Sequence, residues 1–211
     1  MLNFPILQTI KYHLKWKKVY LDKFANIPDR KILQDLILPG LANNPEISSV
    51  LDIGCEWYNL HHQRVFNHHK YATIDIEEDR KAFGAREHVT GSVLELENHF
   101  QEEQFDLVIA NGIIGHGITK RADVATMAQQ LAYSLKPGGY VLIGWNDRTK
   151  GVPEVQPAEA LSNAGFIPSK LPFLPGHRHL ATEETRHWFE LYQKANLSKA
   201  TQSKATQSKV A

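Results

Sequence analysis

The chain carries a series of short apolar runs, each closed by a turn residue. Val50-Leu51-Asp52-Ile53, bounded by Ser48-Ser49 and ending at Gly54, has the length and β-branched character of a buried strand that stops at a tight turn. Tyr71 to Ile76 and a short segment ending at Gly91-Ser92-Val93-Leu94 predict a second and a third strand. Phe105 to Asn111 holds the continuous run Leu107-Val108-Ile109-Ala110, which is expected of a central parallel strand covered on both faces. Tyr140 to Trp145 supplies a fifth strand, and Ile167 to Leu174 with His187 to Tyr192 a closing hairpin. Between them the period changes. His61 to His69, Glu77 to Phe83, a stretch through Val124, Met127 and Leu131 that ends at Lys136-Pro137-Gly138-Gly139, and a stretch from Pro153 through Ala158, Leu161 and Ala164 predict helices.

Strands alternating with helices predict an α/β fold with a mostly parallel sheet. Ahead of it, residues 1–45 look helical. Ile10, Leu14, Val19, Leu21 and Phe24 are interleaved with lysines, and Pro28-Asp29 can open a second helix through Ile32, Leu33, Leu36 and Ile37 that Pro39-Gly40 should stop. The basic part is either an interfacial helix for a membrane or anionic partner, or a solvated helix laid across the domain. Residues 46–196 form the main domain, and the duplicated Ser-Lys-Ala-Thr-Gln tract of 197–211 should be disordered.

Composition narrows the function classes. Twenty-four Lys and Arg against 23 Asp and Glu leave no basic excess of the kind that phosphate readers show, so there is no strong nucleic-acid signal. A single cysteine cannot make an internal disulfide, and no apolar run is long enough for a signal peptide or a transmembrane helix, so a cytoplasmic location is expected. Oligomeric state is not written in the chain.

Candidate chemistry gathers at the strand ends. Small molecules meet open α/β sheets at the carboxyl ends of the strands, so Asp52-Ile53-Gly54 nominates a nucleotide-type site. Asp75 follows about 20 residues beyond Gly54, the spacing at which a carboxylate meets ribose hydroxyls; it could instead cap the following helix. Asn111-Gly112-Ile113-Ile114-Gly115-His116-Gly117 packs three glycines and a histidine into one loop. Cys55 is most simply a small buried residue with no base beside it. His61, His62, His68 and His69 lack the spacing of a shared metal site: His61 and His68 lie about 10 Å apart along a helix axis. Gly176-His177-Arg178-His179 is either a contact for an acidic substrate or a solvated turn.

Val50-Leu51-Asp52-Ile53-Gly54-Cys55, Thr73-Ile74-Asp75-Ile76, Phe105 to Asn111 and Leu135-Lys136-Pro137-Gly138-Gly139 through Gly144 come in an order and at a spacing that resemble class I S-adenosylmethionine-dependent methyltransferases, over residues 30 to 195. The resemblance implies a three-layer Rossmann-like sheet, mostly parallel, with a C-terminal antiparallel hairpin. It implies S-adenosylmethionine as cofactor, with Asp52, Gly54, Cys55, Glu56, Asp75, Ile76, Ser92, Val93, Asn111 and Gly112 around it. Ser92 stands where the family often has an Asp for the adenine amino group, and is equally readable as a turn serine. A small-molecule or protein acceptor would be methylated by in-line displacement, positioning being the main catalytic effect, with His116 as candidate base.

One departure matters. The family's Gly-x-Gly-x-Gly turn here carries Glu56 and Tyr58 at its second and third glycines. Either Glu56 pairs with the cofactor's ammonium while Trp57 or Tyr58 flanks the sulfonium, or these side chains block the pocket. The second possibility leads to a non-catalytic methyltransferase-like binding module. A nicotinamide-dependent oxidoreductase is disfavoured by the missing Gly-x-Gly-x-x-Gly.

Overall fold

The computed structural model describes residues 27–147 and 156–196. The basic helix expected before residue 27 and the tail expected after residue 196 lie outside them.

Eight strands form one sheet: β1 (Ser49–Ile53), β2 (Lys70–Asp75), β3 (Glu87–Thr90), β4 (Phe105–Asn111), β5 (Leu135–Asn146), β6 (Phe166–Pro168), β7 (Arg178–Leu180) and β8 (His187–Lys194). The order is β3-β2-β1-β4-β5-β8-β6, with β7 also paired to β8. From β3 to β5 all pairings are parallel, whereas β8 runs antiparallel to β5, β6 and β7. The fold is therefore the mixed α/β sheet expected, although the hairpin is divided among three short strands rather than two. Of the Gly176-to-His179 cluster, Arg178 and His179 begin β7. Arg178 sits 3.1 Å from buried Glu190 and 3.8 Å from the Trp188 ring centroid, so its charge is paired with the fold.

Each central strand is buried on both faces, which is why its sequence is apolar without interruption. Alternate residues feed two cores. Leu51 and Ile53 of β1, Val108 and Ala110 of β4 and Val141, Ile143 and Trp145 of β5 pack with helices α3 (Arg121–Ser134) and α4 (Pro157–Asn163). Val50, Leu107, Ile109 and Leu142 face the other way, onto helix α1 (residues 28–42) and Phe66, which follows α2 (Leu60–Val65). Fully burying such a side chain contributes about 1.5–3 kcal/mol.

Helix α1 passes the expected stop at Pro39. Its middle, Ile32–Ile37, is wound as a π-helix, and the Leu38 N–H reaches back to the Leu33 carbonyl. This wider turn accommodates Pro39, which has no N–H to place and sits at the start of the final α-helical turn, Leu38–Ala42. Gly40 is needed there for a different reason: a Cβ would collide with Pro172 and lie 2.9 Å from Phe173.

At the amino ends of the strands, Asp106 ties β4 to β1. Its Oδ2 accepts hydrogen bonds from the backbone and hydroxyls of Ser48 and Ser49, and Lys136 Nζ lies 2.8 Å from Oδ1. Burial works against this carboxylate, but Lys136 and the two serines outweigh it and hold its pKa well below the usual range. Among the described residues, no helix is long and apolar enough to cross a membrane.

Candidate active site

The neighbours of β1 are β2 on one side and β4 on the other, and the chain order reverses direction there. A crevice opens at such a switch point, outside the carboxyl ends of the strands. Here it holds two adjoining cavities. One, of about 300 Å³, is an apolar slot between Ile76 at the end of β2, Ser92 and Val93 after β3, and Ile118 beyond β4. The other, of about 350 Å³, is polar, with Asp29 and Arg30 from α1, Tyr58 from the turn after β1, Asn146 from β5 and His187 from β8. Gly54, Asp75, Gly112, Ile113 and His116 line both.

The residues singled out from the sequence fall around these cavities with one exception. Cys55, Glu56 and Asn111 line the polar one, and Ile76, Ser92 and Val93 the apolar one. Asp52 lines neither. It points to the α1 face of the sheet, 2% exposed, with its Oδ2 2.8 Å from His62 Nδ1 and 2.6 Å from the Tyr71 hydroxyl that donates to it. The position two residues before the turn places this carboxylate under the sheet rather than at its rim. The same contact buries His62 completely, so it is a core residue.

Gly54 makes the tight turn after β1 at φ +86°, a conformation open to glycine at little cost, and a Cβ there would stand 2.8 Å from Ile113 Cδ1. Asp75 closes the crevice from β2. Its Oδ2 accepts the Cys55 N–H at 2.5 Å and its Oδ1 the Glu77 N–H at 2.9 Å. The second bond lies ahead of the following helix, whose N-cap is Glu77 and which has no side-chain cap, and a carboxylate with about four acceptor positions keeps others for a ligand. Ser92 Oγ likewise accepts the Leu94 N–H at 3.1 Å, capping a short 3-10 helix, Val93–Asn98.

Glu56 and Tyr58 are drawn aside by arginines. Glu56 Oε1 lies 2.9 Å from Arg80 Nη1, on the 3-10 helix Glu78–Phe83. Burial raises the Glu56 pKa, and Arg80 pulls it back. Tyr58 carries the Arg30 guanidinium 3.9 Å above its ring centroid, and burial raises its hydroxyl pKa. That ring face is therefore taken by Arg30, not left for a sulfonium as the sequence suggested. Arg30 Nη1 is itself buried in the wall without a hydrogen-bond partner. Cys55 is 3% exposed, and burial, then Asp52, pushes its thiol up to about 12, far from a nucleophile's range.

Sequence reasoning placed Asn146 at this rim but missed Asp29, Arg30 and above all His187. Antiparallel pairing sets His187, the first residue of β8, opposite Asn146, the last of β5, and so brings it to the rim. Its Nδ1 lies 3.0 Å from Asn146 Oδ1 and its Nε2 3.1 Å from Asn111 Oδ1. Gly144 makes this contact possible, since a Cβ there would collide with the Asn111 carboxamide and lie 3.0 Å from Nε2. Burial lowers the His187 pKa to about 4.

Residues 51–143 match the family model described as Methyltransferase domain. Among solved structures, the chain is similar to the N-methyltransferase NodS from Bradyrhizobium japonicum WM9, at 15% identity and TM-score 0.64, over 81% of this chain and 98% of that one. NodS in complex with S-adenosyl-L-homocysteine gives 15% identity and TM-score 0.62, over 82% and 90%. A 1,6-didemethyltoxoflavin-N1-methyltransferase from Burkholderia thailandensis is similar at 18% identity and TM-score 0.53, over 92% of both chains. No curated protein matches the sequence. Residues 51–143 thus resemble a methyltransferase domain, and the fold of the chain is similar to that of these methyltransferases.

Proposed function

We propose that the apolar slot and the turn after β1 hold S-adenosylmethionine, and that the polar cavity holds a small-molecule methyl acceptor. One observation carries this reading: two cavities of different polarity meet at Gly54, Asp75, Ile113 and His116, so occupants of the two would touch there. The residues fit the cofactor. Ile76, 69% exposed at the slot, and Val93 offer apolar surface to an adenine, and Ser92 a hydroxyl. Asp75 offers its remaining lone pairs to a ribose diol, a charge-assisted contact. Gly54, Cys55 and Glu56 face the methionine part, and the idle Arg30 Nη1 suits a carboxylate. With Glu56 held by Arg80 and Tyr58 held under Arg30, the lost glycines do not require a filled crevice.

The cofactor supplies a methyl group already activated on a sulfonium. What remains for the chain is to align acceptor and donor, an effect worth up to about 7–11 kcal/mol in well-oriented systems. His116, exposed at the junction, and His187, buried below it, are the groups placed to handle a proton.

Thermal unfolding with S-adenosylmethionine, S-adenosylhomocysteine and NAD tests the reading. The two adenosyl ligands should raise the melting temperature, by about 2.7 kcal/mol of stabilisation at 100 times Kd, and NAD should not. Absence of any shift with the adenosyl ligands would leave a partner-binding module with this fold.

A further inference from the structure

We infer that His187 is the general base for the acceptor, its Nε2 taking the proton of a neutral hydroxyl or a ring N–H as the methyl group arrives. The inference rests on the methyltransferase reading above and adds to it a residue and a substrate class.

The geometry fixes which ring nitrogen is free. Asn146 Nδ2 donates to the Thr185 carbonyl at 2.9 Å, so its carboxamide orientation is set and its Oδ1 faces His187 Nδ1 as an acceptor. A neutral imidazole has one N–H; Asn146 is anchored as an acceptor, whereas the Asn111 carboxamide makes no other hydrogen bond among the described residues and can turn, so the N–H is assigned to Nδ1. Nε2 is then a bare lone pair on the wall of the polar cavity, beside Asn111. Oxygen and lone pair cannot bond each other, so a donor must be supplied at this spot, by a turn of the Asn111 carboxamide or by a ligand's O–H or N–H. The Thr185–Asn146–His187 chain thus orients the imidazole as a base is oriented in acyl-transfer enzymes, with a carboxamide in place of a carboxylate.

The surroundings keep the ring unprotonated. His187 is 6% exposed, and Phe189 packs edge-on with ring centroids 4.7 Å apart. The charged and titratable groups that face it are Asp29 and Arg30 from α1 and His116 from the loop after β4. Burial lowers its pKa to about 4; Arg30 and His116 push the same way and Asp29 opposes them. A base this weak is ready at every neutral pH but takes only a proton that becomes strongly acidic during the reaction. A hydroxyl meets that condition as its lone pair attacks carbon, and an azole as its bare ring nitrogen attacks and its N–H turns acidic, whereas an alkylammonium has no free pair and holds its proton too tightly. In balance, the acceptor X–H forms the X–CH3 bond, the carbon–sulfur bond breaks with its electron pair remaining on sulfur, and the acceptor's proton passes to Nε2.

Two measurements decide it. In ¹⁵N-labelled protein saturated with S-adenosylhomocysteine, His187 should carry its proton on Nδ1, with Nε2 bare from pH 8 down to pH 5. A proton on Nε2, or a ring titrating near the ordinary value, overturns the assignment. The second uses S-adenosylmethionine bearing a CD3 group with phenol, catechol, imidazole, indole and propylamine, products being read by mass spectrometry. Product is expected from at least one hydroxyl or ring N–H compound and none from propylamine. His187→Gln should lower kcat by at least about 100-fold while S-adenosylhomocysteine affinity stays within about threefold. No product from any hydroxyl or ring N–H compound, product from propylamine, or kcat retained in the variant refutes the inference while leaving the donor reading intact. Failure of the wild-type protein to bind S-adenosylhomocysteine removes both. If His187→Gln does not fold, the wild-type ring spectrum alone decides.

Discussion

The two cavities at the rim are built in opposite ways. The apolar slot is lined from Ile53 to Ile118, by the ends of β1 and β2 and the turns that follow β1, β2, β3 and β4. The polar cavity draws Asp29 from α1 and His187 from β8, at opposite ends of the described chain. One is made by consecutive parallel strands and backbone turns, so it comes with the fold. The other is made by side chains that meet only after an antiparallel strand is added to the sheet, so it depends on residues far apart in the sequence.

The largest expected effect strikes the slot. Gly54→Val puts a branched side chain at φ +86°, with its Cβ 2.8 Å from Ile113 Cδ1, and should cost about 1–3 kcal/mol of stability. Calorimetry should show S-adenosylhomocysteine affinity falling at least about 100-fold, because the turn that approaches the ligand has moved. Wild-type affinity in a folded variant would detach the turn from the donor. Asp75→Ala comes next. Losing hydrogen bonds to a charged acceptor should weaken the same ligand by roughly 1.5–3 kcal/mol, about 10-fold to 150-fold. An unchanged Kd would mean that Asp75 serves only the N–H groups of Cys55 and Glu77.

The same division governs what could be read from the chain. The strands Ser49–Ile53 and Phe105–Asn111 announce themselves because burial on both faces demands unbroken apolar runs. Gly54, Asp75 and Asn111 were legible because motif spacing and rim position coincide there. Asp52 looked alike and is not. It shares the parity of Val50, which faces α1, and only the partners His62 and Tyr71 reveal that its Oδ2 is engaged below the sheet. His187 had the reverse problem. A lone histidine at the head of an aromatic strand gives no signal, and its role depends on the pairing with Asn146 and on Gly144 being too small to block Asn111. Pro39 misled in a local way, since nothing in the sequence declares the π-turn that lets a helix run through it.

A smaller effect separates the polar cavity by pH. His187 has a folded-state pKa of about 4 against an ordinary 6.5, so between these values the unfolded chain binds a proton that the native state refuses. Stability therefore rises with pH across that window, and acid destabilises: going from pH 7 to pH 5 should cost about 2 kcal/mol through this group. Urea unfolding at the two pH values should show the loss in wild-type protein and most of it missing in His187→Gln. Equal losses in both would place the acid sensitivity elsewhere, for example at the partly buried His61 and His88, whose pKa values burial also lowers.

The smallest effect belongs to the wall of the polar cavity, where Glu56 stands. Its pair with Arg80 is 28% exposed on the glutamate side and 34% on the arginine side, and pairs so open to solvent are worth about 0–1 kcal/mol. Arg80→Ala should therefore lower stability by less than about 1 kcal/mol, measured by urea unfolding. What it should change is direction: without Arg80 the burial that already raises the Glu56 pKa is unopposed by its main partner, and the carboxyl is free to turn toward the polar cavity. Affinity for S-adenosylhomocysteine should then shift by no more than about threefold, in keeping with so weak a pair. A loss as large as that in Asp75→Ala would mean that the arginine, rather than the turn, shapes the donor side, and the line drawn between the two cavities would have to move.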